Sequence, residues 1–182
     1  MAADTRSELR GALIYQVFVR DYSQDGTFDS VTADLPRIKS LGSDIVHLLP
    51  IHPIGVKNRK GTYGSPYAIR DYRAIDPGYG TQQQLKRLLE KAHSLGMKVL
   101  MDVVYNHTSP DSDLFARHPE WFYDKGGKPG NKVGDWWDVI DLDYEKGGSG
   151  LEEELIGNLV RWAEFGFDGF RCDVASLVPK AF

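Results

Sequence analysis

Apolar positions arrive in blocks along this chain. "ALIYQVFV" (residues 12–19) is a continuous run rich in β-branched and aromatic residues, the pattern of a strand buried on both faces. After the polar "SQDGTF", Val31, Leu35, Ile38 and Leu41 recur at helical spacing. Asp29 or Ser30 is the expected cap of that helix and Gly42 its stop. "DIVHLLPI" (44–51) predicts a second strand, ended by the prolines. Thr81 and Gln84 read as a capping box, in which each side chain satisfies a backbone donor of the first turn. The helix they open carries Leu85, Leu88, Leu89, Ala92 and Leu95 on one face and closes at Gly96. "KVLMDVVY" (98–105) predicts a third strand, a helical pattern returns from about Leu151 to Phe165, and "FDGFRCDV" predicts a fourth strand.

Strands alternating with helices over short links argue for a parallel sheet with right-handed crossovers, an α/β fold. One connection breaks the rhythm. The stretch from Asn106 to about Gly150 is rich in Gly, Trp, Asp and Pro, far longer than the roughly 2–6 residues of an ordinary crossover loop. It reads as an inserted subdomain or binding loop, which divides the chain into a body (1–106 and 150–182) and an insertion (107–149).

Composition narrows the function classes. A chain of 182 residues suits one domain with a sizeable core, and 41% hydrophobic with 26% charged residues is ordinary for a globular protein. The net charge of −4 offers no basic surface for nucleic acid or an anionic membrane. No run approaches the roughly 20 apolar residues of a membrane span. The polar start, Met1 to Arg10, has no signal-peptide core, so a cytoplasmic protein is expected, or a secreted one whose leader has been removed. The single cysteine, Cys172, can form no internal disulfide and belongs to no metal-binding pair; inside an apolar strand it is expected to be a small buried hydrophobe. No organic cofactor is expected.

Reactive residues gather at the carboxyl ends of the predicted strands. Asp102, Asn106 and His107 follow the third strand, Arg171 and Asp173 the fourth, and Tyr67 lies in the loop after the second. In parallel α/β folds, and barrels above all, sites are built at that edge. Taken singly, each residue has a plainer use: Asp102 with Arg171 as a structural pair, His107 as loop packing. Their convergence on one edge argues for a site.

"DVVYNH" (102–107) and "GFRCD" (169–173) resemble the first two sequence signatures of the α-amylase family of glycoside hydrolases. "GSPYAIRDY" (64–72) is similar to the segment after strand two in those enzymes, and "VIDLDY" (139–144) to the motif near the end of their inserted domain. Four motifs in register, spanning nearly the whole chain, make the resemblance specific. It implies a (β/α)8 TIM barrel with a short inserted domain B after strand three. Asp173 matches the nucleophile that forms a covalent glycosyl-enzyme. Arg171 matches the arginine that keeps that carboxylate ionised, as a nearby guanidinium does. His107 matches a histidine that hydrogen-bonds the sugar, Tyr67 the aromatic platform beneath it, and Asp102 an aspartate that positions the arginine. Asn106 and Asp141 match positions that hold calcium in many members, and oxygen ligands suit Ca²⁺. A second calcium candidate is "DYSQDGTFD" (21–29), which also suits a plain polar turn.

The departures carry information too. Many starch-cleaving relatives have a lysine and a histidine where this chain has Ser176 and Leu177, which points away from long-chain specificity and toward glucosidase-like members. A retaining glycosidase needs two carboxyl groups about 5–5.5 Å apart. In the family the acid is a glutamate ending strand five, and only four strands are predicted here. Glu145 and Glu152 to Glu154 read as loop and helix-surface charges. The expected protein is thus the amino-terminal half of a retaining hydrolase acting on α-glucosidic bonds of starch or maltooligosaccharides. Taken alone, this chain is expected to be inactive and prone to self-association. The alternatives are a glucosidase or transglycosylase on short α-glucosides, and a non-catalytic carbohydrate-binding relative.

Overall fold

The structure, a computed structural model, describes residues 6–182; the first five residues of the polar start lie outside it. Among the described residues the strands are β1 (Ile14–Val17), β2 (Ile45–Leu48), β3 (Lys98–Val103), β4 (His107–Thr108), β5 (Ile140–Asp141) and β6 (Gly169–Cys172). The helices are α1 (Val19–Tyr22), α2 (Phe28–Ser40), α3 (Gln82–Ser94), α4 (Asp113–Arg117) and α5 (Tyr144–Phe165). Four strands form one parallel sheet in the order β1-β2-β3-β6, and β4 pairs antiparallel with β5. No helix among these residues is long and apolar enough to cross a membrane.

The core forms where strand and helix faces meet. Val46, Leu48, Val99 and Met101 are fully buried with Val31, Leu35 and Ile38 of α2 and Leu85, Leu88 and Ala92 of α3. Each of the Val, Leu, Ile and Met side chains contributes about 1.5–3 kcal/mol on leaving water. Side chains alternate along a strand, so His47, Asp102 and Arg171 leave this packed face for the other. The register sets Gln16 beside His47 and Asp102 beside Arg171.

Helix α3 begins as its sequence predicts. Thr81 Oγ1 accepts from Gln84 N at 3.3 Å, and Thr81 N donates to Gln84 Oε1 at 2.8 Å. Helix α2 differs: its cap is Thr27, whose hydroxyl accepts from Ser30 N, two to three residues ahead of the expected Asp29 or Ser30. Asp29 is turned outward to Gln84 and Arg87 instead. Helix α5 also starts early, at Tyr144 under an Asp143 cap, and Gly148 (φ 49°, ψ −145°) breaks it before the apolar periodicity begins. Glycine accepts that left-handed kink at no steric cost.

Cys172 is exposed, against the expectation of burial. It sits on β6, an edge strand none of whose residues is buried. The other edge, β1, likewise leaves Ile14 54% exposed. Glu154 departs from a plain surface charge, since its carboxylate takes both Arg73 and Arg117.

Candidate functional site

The loop between β2 and α3 is stapled over the carboxyl ends of the strands. Thr108 Oγ1 donates to Ile69 O at 2.6 Å, Ser109 N donates to the same carbonyl, and the Tyr72 hydroxyl lies between Val104 O and His107 O. Gly64 turns the chain just ahead of Tyr67 with φ +72°, where a Cβ would stand 2.8 Å from Ile54. These ties bring Tyr67 over β3.

Asp102 is the centre of the arrangement. It is wholly buried, and a buried carboxylate needs donors. Arg171 Nη1 reaches both of its oxygens, at 3.0 and 3.1 Å, and the Tyr67 hydroxyl donates to Oδ2 at 3.2 Å. The same Arg171 nitrogen donates to Asp173 Oδ1 at 2.8 Å. One guanidinium thus ties the buried aspartate to the carboxylate at the end of β6. Burial opposes the charge of Arg171, but its bonds to Asp102 and Asp173 outweigh that and raise its pKa. Burial, and then the Asp102 charge, push Tyr67 up to about 12, so its phenol stays a donor.

His107 lies beside this cluster, buried, with its ring 5.3 Å from Trp136 and its Nδ1 3.1 Å from Asn106 Nδ2. Burial lowers its pKa, against the pull of Asp173, Asp141 and Asp138. Tyr67, His107, Trp136, Asp138, Lys60 and Asp173 line one pocket of about 220 Å³. Val174, the next residue, also borders it and adopts φ 39°, ψ 45°. A β-branched residue in the left-handed region stores strain on the order of 1–3 kcal/mol, and such strain gathers at functional sites.

Tyr67, Asp102, His107, Arg171 and Asp173 therefore converge. Lys60, Trp136 and Asp138 come from loops, and sequence reading missed them. It also missed His47, whose Nε2 stands 3.3 Å from Asp102 Oδ2 without the alignment of a hydrogen bond, while its Nδ1 accepts from Gln16. The one signal for His47 was a polar residue inside the apolar run "IVHLL".

Asn106 and Asp141 also meet, as Asn106 Nδ2 and Asp141 Oδ1 at 3.5 Å. The other Asp141 oxygen accepts from Lys132 N at 2.8 Å. Calcium takes 6–8 oxygens, whereas this carboxylate faces amide N–H groups, so the pair as placed does not fit a calcium shell. In 21–29, Asp29 is held by Gln84 and Arg87. Among the described residues, no group of three or more His, Cys, Asp or Glu side chains converges to hold a metal ion.

A buried aspartate and a strand-end carboxylate bridged by one arginine, beside an aromatic-walled pocket at the carboxyl edge of a parallel sheet, define the site of a barrel-type α/β protein. Residues 13–139 match the family described as alpha amylase, catalytic domain. The chain belongs to the α-amylase family. An α-amylase from Lactobacillus plantarum is 60% identical with a TM-score of 0.92, over 96% of this chain and 41% of that one. A maltogenic α-amylase from Thermotoga neapolitana is 48% identical with a TM-score of 0.84, over 92% of this chain and 40% of that one. The alpha-1,4-glucan:maltose-1-phosphate maltosyltransferase of Salinibacter ruber is 34% identical over 90% of this chain, which spans 28% of that protein.

Proposed function

We propose that this chain carries the nucleophile side of a retaining glycosidase acting on α-glucosidic bonds of maltooligosaccharides. The observation that carries the reading is the Arg171 bridge, which holds Asp173 at the pocket while anchoring to buried Asp102. In this reading the sugar ring lies on Tyr67, with His107 hydrogen-bonded to it. An Asp173 oxygen attacks the anomeric carbon, a C–O bond forms to the enzyme, and the bond to the leaving oxygen breaks. A second carboxyl group protonates that oxygen and then takes a proton from the water that releases the sugar. Asp138 is committed to an ion pair with Lys60, so no carboxyl of this pocket is assigned the acid role. Arg171 stabilises the carboxylate before attack and as it leaves.

The relatives include hydrolases and a maltosyltransferase, so transfer to a second sugar is the alternative outcome of the same covalent step. Starch is the polymeric form of the proposed substrate, and no step is routed through calcium. The experiment is Asp173→Asn in the full-length protein, assayed by release of reducing sugar from maltoheptaose. Turnover should fall by several orders of magnitude, because an amide cannot attack the anomeric carbon. Near-normal turnover would remove Asp173 from the role.

A further inference from the structure

The pocket has a wall that the reading above leaves unused. Lys60, from the loop after β2, places Nζ 2.8 Å from Asp138 Oδ1 and 4.7 Å from the centre of the Trp137 ring. The Asp138 side chain is 3% exposed, the Lys60 side chain 35%. A buried carboxylate is costly unless paired, and here its ion-pair partner comes from another loop and stands at the pocket. His107, Tyr67 and Asp173 line the same pocket as Lys60 and Asp138. Tyr67 responds to Asp102, Arg171 and Asp173. The Lys60–Asp138 pair therefore shares a wall of the pocket with the proposed nucleophile.

We propose that Lys60 is a specificity-determining residue that donates hydrogen bonds to hydroxyls of the sugar held in this pocket, and that Asp138 and Trp137 position its ammonium. This rests on the pocket taking a glucosyl unit. An ammonium has three donors, and the contact with Asp138 uses one of them. A free lysine would lose much rotamer freedom on gripping a ligand, whereas this one is already held from two sides. The ligand class is a neutral sugar with vicinal hydroxyls.

The test uses the full-length protein in an Asp173→Asn background, so that maltotriose binds without turnover and calorimetry reads the affinity. A hydrogen bond to a charged group is worth on the order of ten- to a hundred-fold in affinity. The paired replacement Lys60→Met with Asp138→Leu removes both charges, leaving no buried ion alone, and should weaken maltotriose by that factor at a near-unchanged melting temperature. Lys60→Arg serves if the paired variant fails to fold. It keeps the charge for Asp138 but presents a planar fork, and should shift affinity several-fold. Affinity equal to that of Asp173→Asn alone, in either variant, would make the pair a loop latch only and overturn the inference. A turnover loss with unchanged affinity, when Asp138→Asn is made in the active protein, would overturn it as well, by placing Asp138 in proton transfer. If Asp173→Asn alone binds no maltotriose, the glucosyl reading falls and this inference falls with it.

Discussion

Lowering the pH should destabilise the fold through His52, which is buried in the loop that carries Tyr67. His52 is 2% exposed, with its ring 5.5 Å from Trp162 and 6.1 Å from Tyr72. Its Nδ1–H donates to Ala74 O at 2.8 Å, and Trp162 Nε1 donates to Tyr72 O at 2.9 Å. Burial depresses its pKa from the ordinary 6.5 to about 4, against the smaller pull of the Ala74 carbonyl. The imidazole is thus neutral in the fold and binds a proton only after unfolding. Its contribution is complete above pH 6.5 and is lost as the pH falls toward about 4. At 1.36 kcal/mol per pKa unit, the loss across that window is about 3 kcal/mol. The perturbation is His52→Asn, which keeps an amide donor for Ala74 O and removes the titration. Urea unfolding of the full-length protein, followed by tryptophan fluorescence, would be compared at about pH 7 and about pH 4. Carboxylates that titrate in the same window act in both proteins, so the difference isolates His52. The wild type should lose about 3 kcal/mol more than the variant. Equal losses would refute the reasoning.

Tyr67→Phe keeps the ring but removes one donor to buried Asp102; kcat/KM on maltoheptaose should fall on the order of ten-fold, and an unchanged value would detach that bond from function. Asp141→Asn should leave the response of the full-length protein's melting temperature to excess chelator the same as in the wild type, since Asp141 faces amide donors; a chelator-induced fall that the variant lacks would place a cation at Asp141. The 182-residue chain expressed by itself should self-associate in light scattering, because its edge strands and exposed Leu13 and Ile14 invite further pairing. A monodisperse monomer would contradict that.

Much of the fold was legible because buried parallel strands write themselves as apolar runs and α3 carries its cap in its own sequence. The runs overstate strand length, however. "ALIYQVFV" yields only Ile14–Val17, since Val19 already opens α1 and local hydrophobicity does not mark where pairing stops. Thr27 capped α2 because its backbone was extended at that point, a property that Asp29 and Ser30 match equally well on paper. Tyr67, Asp102, His107, Arg171 and Asp173 were legible by motif; strand register sets Asp102 beside Arg171, while loop hydrogen bonds bring Tyr67 to them. Lys60 and Asp138 are 78 positions apart in sequence and carry no periodicity, so only the folded loops bring them together. Cys172 misled because "FDGFRCDV" reads as a buried strand, while the strand it forms lies at the edge of the sheet.

Covalent trapping would identify the nucleophile chemically. The full-length protein would be incubated with a slow-reacting fluorinated α-glucosyl fluoride, digested and examined by mass spectrometry. A retaining mechanism through this site predicts one glucosyl adduct, on the peptide that contains Asp173, with the adduct lost in Asp173→Asn. An adduct on another carboxylate, or turnover with inverted anomeric configuration and no adduct at all, would contradict the account.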